Sequence, residues 1–177
     1  MFLRYADPSD INDVRFCMEI RNNPDNHKYF HKNFHITEEA QIGFMKKEPY
    51  FYLIIEGGNR AGTISLYNIH GNVGVWGRLF ILPQYRFSSM SSLAEALTIK
   101  KAFDELGLEI LLCDIVQTNT VVIKMHENFG FKTYEERDGV VYMRLDKQNL
   151  TPFYHRIHKR FVGDKYQDFW RLHERTR

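Results

Sequence analysis

The chain of 177 residues contains only two cysteines, Cys17 and Cys113. Both sit among apolar neighbours, which favours buried free thiols over a disulfide and fits a reducing compartment. Excess charge is nearly absent: 24 Lys and Arg against 22 Asp and Glu give +2. Charge therefore gives no reason to expect a nucleic-acid partner, and none is expected. No apolar run approaches the roughly 20 residues of a membrane span, and the first residues turn polar too soon for a secretory leader. The expectation is a soluble cytoplasmic protein without an integral membrane segment. Internal repeats and low-complexity segments are also lacking. The histidines His27, His31 and His35 fall close together, but their spacing fits no standard zinc set. No cysteine or close acidic pair completes one, so no metal is expected.

What the chain does have is core material. It is 44% hydrophobic and 15% aromatic, enough for one domain with a small appendage. The pattern reads as a strand over 2–6, then a helix from Ile11 capped by Ser9 or Asp10 and stopped by Asn22 and Asn23 before Pro24. An aromatic, histidine-rich loop leads to a second helix over 38–46, capped by Thr37. Three strands follow as a meander, 51–56, 60–69 and 73–82, with Gly74 and Gly77 marking a bulge or a close backbone approach. A strand–turn–helix–strand–helix block then covers 79–131. Its turn is 84–92, its long helix 93–106, its strand 109–116, and its last helix runs from Asn119 to the Gly130-Phe131 pair. Free N–H groups and the positive dipole end at the start of the long helix make an anion site. Asp138-Gly139 predicts a closing hairpin. The expected fold class is α/β (α+β): a mixed, mostly antiparallel sheet flanked by helices. The domain spans 1–147, and a basic, aromatic helical extension spans 148–177, opened by Thr151-Pro152.

At the central block the chain resembles the GNAT (Gcn5-related) N-acetyltransferases, over residues 2–145. Two runs carry the likeness. Arg86-Phe87-Ser88-Ser89-Met90-Ser91 matches the family's Gln/Arg-x-x-Gly-x-Gly/Ala cofactor turn, with Ser89 and Ser91 at the small positions. Asn119, Val122, Met125, His126, Gly130 and Phe131 match Asn-x-x-Ala-x-x-Leu-Tyr-x-x-x-Gly-Phe in register. The N-terminal run ending in Arg21-Asn22-Asn23-Pro24, with Ile36-Thr37-Glu38-Glu39, is similar to one branch. That branch holds Rim-type ribosomal-protein acetyltransferases and the N-acetyltransferases of nucleotide-linked 4-amino sugars. The resemblance implies acetyl-CoA as co-substrate, held by Arg86, Phe87, Ser88, Ser89, Met90 and Ser91 at the pyrophosphate. It also implies that the pantetheine arm pairs with backbone near Leu79 and Ile81, and that Asn119 orients the arm. Serine is small, and its hydroxyl can donate to phosphate.

The family's proton-donating Tyr is replaced by His126. An imidazole can donate or accept near neutral pH; otherwise His126 is a surface helical residue and transfer proceeds by positioning. The carboxylate that many relatives carry on the strand before the turn is absent, since Gly77 and Arg78 stand there. His27 and His31 are then candidate bases. Asn22, His27, Tyr67 and Trp76 are expected at the acceptor, with the aromatic side chains either walling its pocket or lying in the core. The first functional expectation is acetyl transfer to a small amine, with a nucleotide-linked 4-amino sugar preferred. A protein N-terminal acetyltransferase and a non-catalytic CoA- or partner-binding module are the alternatives, and a homodimer is possible.

Overall fold

The computed structural model describes residues 1–30, 35–86 and 89–162. Seven strands form one sheet: β1 Phe2–Tyr5, β2 Tyr50–Glu56, β3 Asn59–His70, β4 Val73–Ile81, β5 Ile110–Val116, β6 Lys132–Arg137 and β7 Val140–Asp146. Their order is β1-β2-β3-β4-β5-β7-β6. Every neighbouring pair is antiparallel except β4 with β5. The hairpin expected at Asp138-Gly139 joins β6 to β7, both residues with positive φ.

Alternation along β2 assigns the two faces. Phe51, Leu53 and Ile55 pack with α1 (Ile11–Asn22) and α2 (Glu38–Lys47) on one side. Tyr52 and Ile54 belong to the larger core on the other side, under α3 (Met90–Lys100), α4 (Thr120–Phe129) and α5 (Pro152–Ile157). Both cysteines are buried and free, one in each core. The expected caps form: Asp10 accepts from the Asn12 amide, Thr37 from Ala40, and Thr151 from Tyr154. The central helix begins at Met90, three positions before the expected Leu93, because the Met90 side chain reaches the core. It continues past Lys100 as a wider π turn to Glu105. Of the C-terminal extension, α5 and the turn after it are described, and α5 packs on α3 and α4. The expected second helical piece, from Tyr166 onward, lies outside the described residues.

Asp13, in the first turn of α1, is wholly buried. Arg4 of β1 grips it with two hydrogen bonds at 2.7 and 2.8 Å, Arg60 of β3 adds one at 2.7 Å, and the Asp7 amide adds another at 2.9 Å. Burial pushes its carboxyl up, but those donors outweigh burial and hold it below its ordinary value. Removing it takes from Arg4 its carboxylate partner and leaves Arg60 with Asp10 alone. Asp13→Ala is expected to cost roughly 3–5 kcal/mol in urea unfolding at neutral pH. Because the folded pKa is depressed, this contribution is present above the unfolded value of about 3.9 and fades as pH falls through the folded one. The gap between wild type and Asp13→Asn should therefore close in acid.

Candidate active site

The one parallel pairing in the sheet is short. β4 and β5 match at Val73↔Ile110, Gly74↔Leu111 and Val75↔Leu112, and then diverge. β4 continues to Ile81 and β5 to Val116, so a fork opens with unpaired backbone on its facing edges. Gly74 permits the close approach at the closed end: a Cβ there would lie 2.8 Å from Leu108 Cδ1. Since the strands are parallel, both C-terminal ends lie at the open end. The turn into α3 follows one, and Asn119, the residue that starts α4, follows the other.

At the crotch, the first residues past the last pair are Trp76 and Cys113. Trp76 is 2% exposed, and its indole N–H donates to Thr98 Oγ1 of α3 at 2.7 Å. Against it stands His126 of α4, 1% exposed, with ring centroids 4.6 Å apart and nearly perpendicular. His126 Nδ1 lies 2.8 Å from Oε1 of Glu95, a wholly buried carboxyl of α3. Burial drives the Glu95 pKa up and His126 opposes the rise. Phe131 packs on His126 at 5.1 Å. The Gly-Phe pair of the sequence motif produces that contact. Gly130 ends α4 at φ +110, and the amides of Gly130 and Phe131 turn back on the Glu127 and His126 carbonyls.

On the far side of β4 the register against β3 slips between Thr63 and Ser65, and Arg78 takes φ +54. The bulge therefore falls on an arginine, while Gly77 makes room for the Tyr67 ring, which a Cβ would meet at 3.3 Å. Arg78 stacks on Tyr67 at 3.7 Å and on Phe44 at 4.6 Å, and contacts Glu48 at 3.5 Å. Arg21, over the Phe30 ring, is close enough to Arg78 that burial and this second cation both lower its pKa. A cavity of about 470 Å³ lies between the loop after α1 and the end of β4, lined by Asn23, Asn26, Tyr29, Phe80, Leu82 and Arg86.

A family model described as "Acetyltransferase (GNAT) domain" matches residues 1–132. The chain belongs to the GNAT acetyltransferase family. By that membership it is an acyltransferase. Solved structures share the GNAT fold. One described as "Apo FdhC- a nucleotide-linked sugar GNAT" is 22% identical, with 91% of this chain and 92% of that one covered and a TM-score of 0.71. The spermidine N-acetyltransferase of Vibrio cholerae, in complex with CoA and spermine, is 15% identical over 84% and 96%, with a TM-score of 0.72. The yncA protein of Salmonella typhimurium, with acetyl-CoA, is 14% identical over 82% and 93%, with a TM-score of 0.67. No curated protein matches the sequence. Among the described residues no helix is long and apolar enough to cross a membrane.

Against this GNAT frame the expected site residues separate into groups. Leu79 and Ile81 lie on the free stretch of β4, although the Ile81 side chain is core. Ser89 is exposed at φ −70, so no glycine is required there, and its carbonyl accepts from the Leu93 amide. Ser91 is half-buried in the first turn of α3, whereas Met90 turns its side chain into the core and leaves only backbone for a ligand. Arg86 is exposed, its Nε donating to the Ile81 carbonyl at 2.9 Å. The Asn119 side chain makes no hydrogen bond among the described residues. Phe87, Ser88 and His31 lie outside the described residues.

One expectation is corrected and two open alternatives are decided. Trp76 is core, not a pocket wall, because its indole is hydrogen-bonded beneath the sheet. Asn22 is engaged with its own loop, its amide bonding both the N–H and the carbonyl of Ile36. His126 is not a surface residue. His27 is half-buried, and it is not among the residues lining the cavity. Sequence reasoning missed Glu95 and Thr98; the available signal was two polar residues within the otherwise apolar stretch from Leu93 to Ile99. Thr98→Val should leave the buried indole N–H without an acceptor and cost about 1–3 kcal/mol in chemical unfolding.

Proposed function

We propose that the protein transfers acetyl from acetyl-CoA to the primary amine of a small acceptor, and that this acceptor is a nucleotide-linked 4-amino sugar. The fork carries the first half of the reading. An extended arm can add to its free strand edges as another strand would, and the N-terminus of α3 offers amides and positive dipole to a pyrophosphate. The acceptor half rests on Arg21 and Arg78. Two neighbouring guanidiniums, backed by Tyr67, Phe44 and Phe30, suit a substrate bearing phosphates and a sugar ring. They disfavour a polyamine or a cationic peptide N-terminus. Of Glu38, Glu39 and Glu56, the acids that could hold a cationic substrate in a protein N-terminal acetyltransferase, Glu56 pairs with the Met1 amine at 2.8 Å and Glu38 stands 3.8 Å from Arg15.

In this reading His126 protonates the departing thiolate through Nε2, the nitrogen that Glu95 leaves available. Gly77 and Arg78 supply no base, so the amine arrives neutral or loses its proton to solvent.

Titration calorimetry with acetyl-CoA is the first test, and micromolar binding is expected. No binding at millimolar ligand would remove the cofactor site. Ser89→Glu should weaken binding by roughly tenfold or more, about 1.4 kcal/mol, through repulsion of the pyrophosphate. A panel of UDP-linked 4-amino sugars, spermidine and ribosomal-protein N-terminal peptides then tests the acceptor class. Fastest turnover on spermidine would overturn the sugar reading. His126→Ala should lower turnover roughly 100-fold with acetyl-CoA affinity nearly unchanged.

A further inference from the structure

Among the described residues two carboxylates are completely buried, and they are treated differently. Asp13 has donors on both oxygens, from two arginines and a backbone amide. Glu95 has one: Oε1 meets His126 Nδ1, while Oε2 is buried with no hydrogen-bond partner among the described residues. A half-satisfied buried carboxylate is destabilising, and among the described residues no arginine, lysine or backbone amide relieves it. Asp13 accounts for itself as a fastener between β1, β3 and α1. Glu95 fastens nothing except an imidazole.

Its position is specific. Glu95 and His126 sit beneath the crotch of the fork, against Trp76, the first β4 residue past the paired segment, and near Cys113, its counterpart on β5. The groups facing the pair from each packed element can be named. α4 presents His126 and β5 the Cys113 thiol, which burial, Glu95 and Asp114 hold un-ionised. β4 presents Trp76, whose N–H is directed to Thr98.

We propose that Glu95 is the positioning residue for His126, fixing its tautomer and holding on the pair the one proton that the acyl-transfer step consumes. This rests on the reading of His126 as the proton donor. With Nδ1 directed at Glu95, Nε2 is left for the reacting groups. With one proton shared, the pair is electrically neutral as a unit; without it, a net negative charge remains in a site from which water is excluded, which strongly favours retention. During turnover the acceptor nitrogen bonds to the acetyl carbon and the carbon–sulfur bond breaks. The sulfur takes the proton from Nε2, the nitrogen releases its own to solvent, and the pair recovers a proton from solvent.

The test is Glu95→Gln, which preserves size and a hydrogen bond to Nδ1 but removes the charge. It is assayed as thiol release from acetyl-CoA with the fastest acceptor of the panel. The expected result is a fall in kcat of at least roughly tenfold, with KM for acetyl-CoA unchanged, and an alkaline limb of kcat moved down by about 1 pH unit or more. The double variant with His126→Ala should be no slower than His126→Ala alone, because Glu95 acts only through that ring. An unmoved alkaline limb in Glu95→Gln, alongside a slow His126→Ala, would overturn the positioning role while leaving His126 as the donor. Unchanged turnover in His126→Ala would instead remove the donor reading on which the proposal stands. If Glu95→Gln folds poorly, Glu95→Asp supplies the second arm: it keeps the charge and should retain the wild-type pH limb even at reduced rate.

Discussion

The structure depends on where the ladder between β4 and β5 stops. Three residues on each strand pair, and the separation begins at Trp76 and Cys113. Below that point the approach is tight because Gly74 has no side chain to hold Leu108 away. Above it, a large indole fixed to α3 and an imidazole fixed to α4 occupy the face beneath the divergence. The twist natural to strands separates the edges, and these anchored rings support them apart. An open parallel pair inside an otherwise antiparallel sheet gives both strands' C-terminal ends to one cleft. The turn into α3 and the start of α4 therefore open on the same cleft.

That arrangement has an energetic consequence for the two faces of the sheet. The α1–α2 side is fastened by a charge cluster whose members all find partners, and it behaves as scaffold. The α3–α4 side accepts an incompletely bonded carboxyl in its middle. A sequence selected for stability alone would place an apolar residue at 95, as replacement of buried ionic groups is often stabilising. Local strain points the same way: Arg78 holds a left-handed backbone at the bulge, directly beyond the crotch, with its guanidinium laid over Tyr67. The unfavourable features thus cluster on the two sides of the same strand.

Most of the fold was legible in the sequence because its signals are local. Caps at Asp10, Thr37 and Thr151, the Asp138-Gly139 turn, and the Gly130-Phe131 stop each act within a few residues, and each appears where expected. The serines of the cofactor turn were legible as a departure from glycine, but not their consequence. Ser89 sits at φ −70, where a side chain costs nothing. What could not be read is which polar residues face each other across elements. Thr98 and Glu95 look like interruptions of an apolar helix until Trp76 and His126 arrive from positions 22 residues before one and 31 residues after the other. Periodicity assigns a face, not the partner on the opposing face. For the same reason the sequence left Trp76 between a pocket wall and the core.

The exchange of tyrosine for histidine at 126 links these observations. A phenol, with a reference pKa near 10, carries its proton at neutral pH without help. A free imidazole, near 6.5, does not do so reliably. A chain that uses histidine at this position therefore needs something a tyrosine chain does not, namely a nearby negative charge to retain the proton. It must also be shielded, or water would weaken the interaction. In the role proposed for it, Glu95 would meet both conditions as one half of a proton-sharing pair, and its second oxygen, which has no partner among the described residues, is intelligible in the same terms. Additional donors there would stabilise the bare carboxylate and reduce its hold on the shared proton. On that proposal, the incomplete bonding at Glu95 and the departure from the family's tyrosine share a single physical explanation.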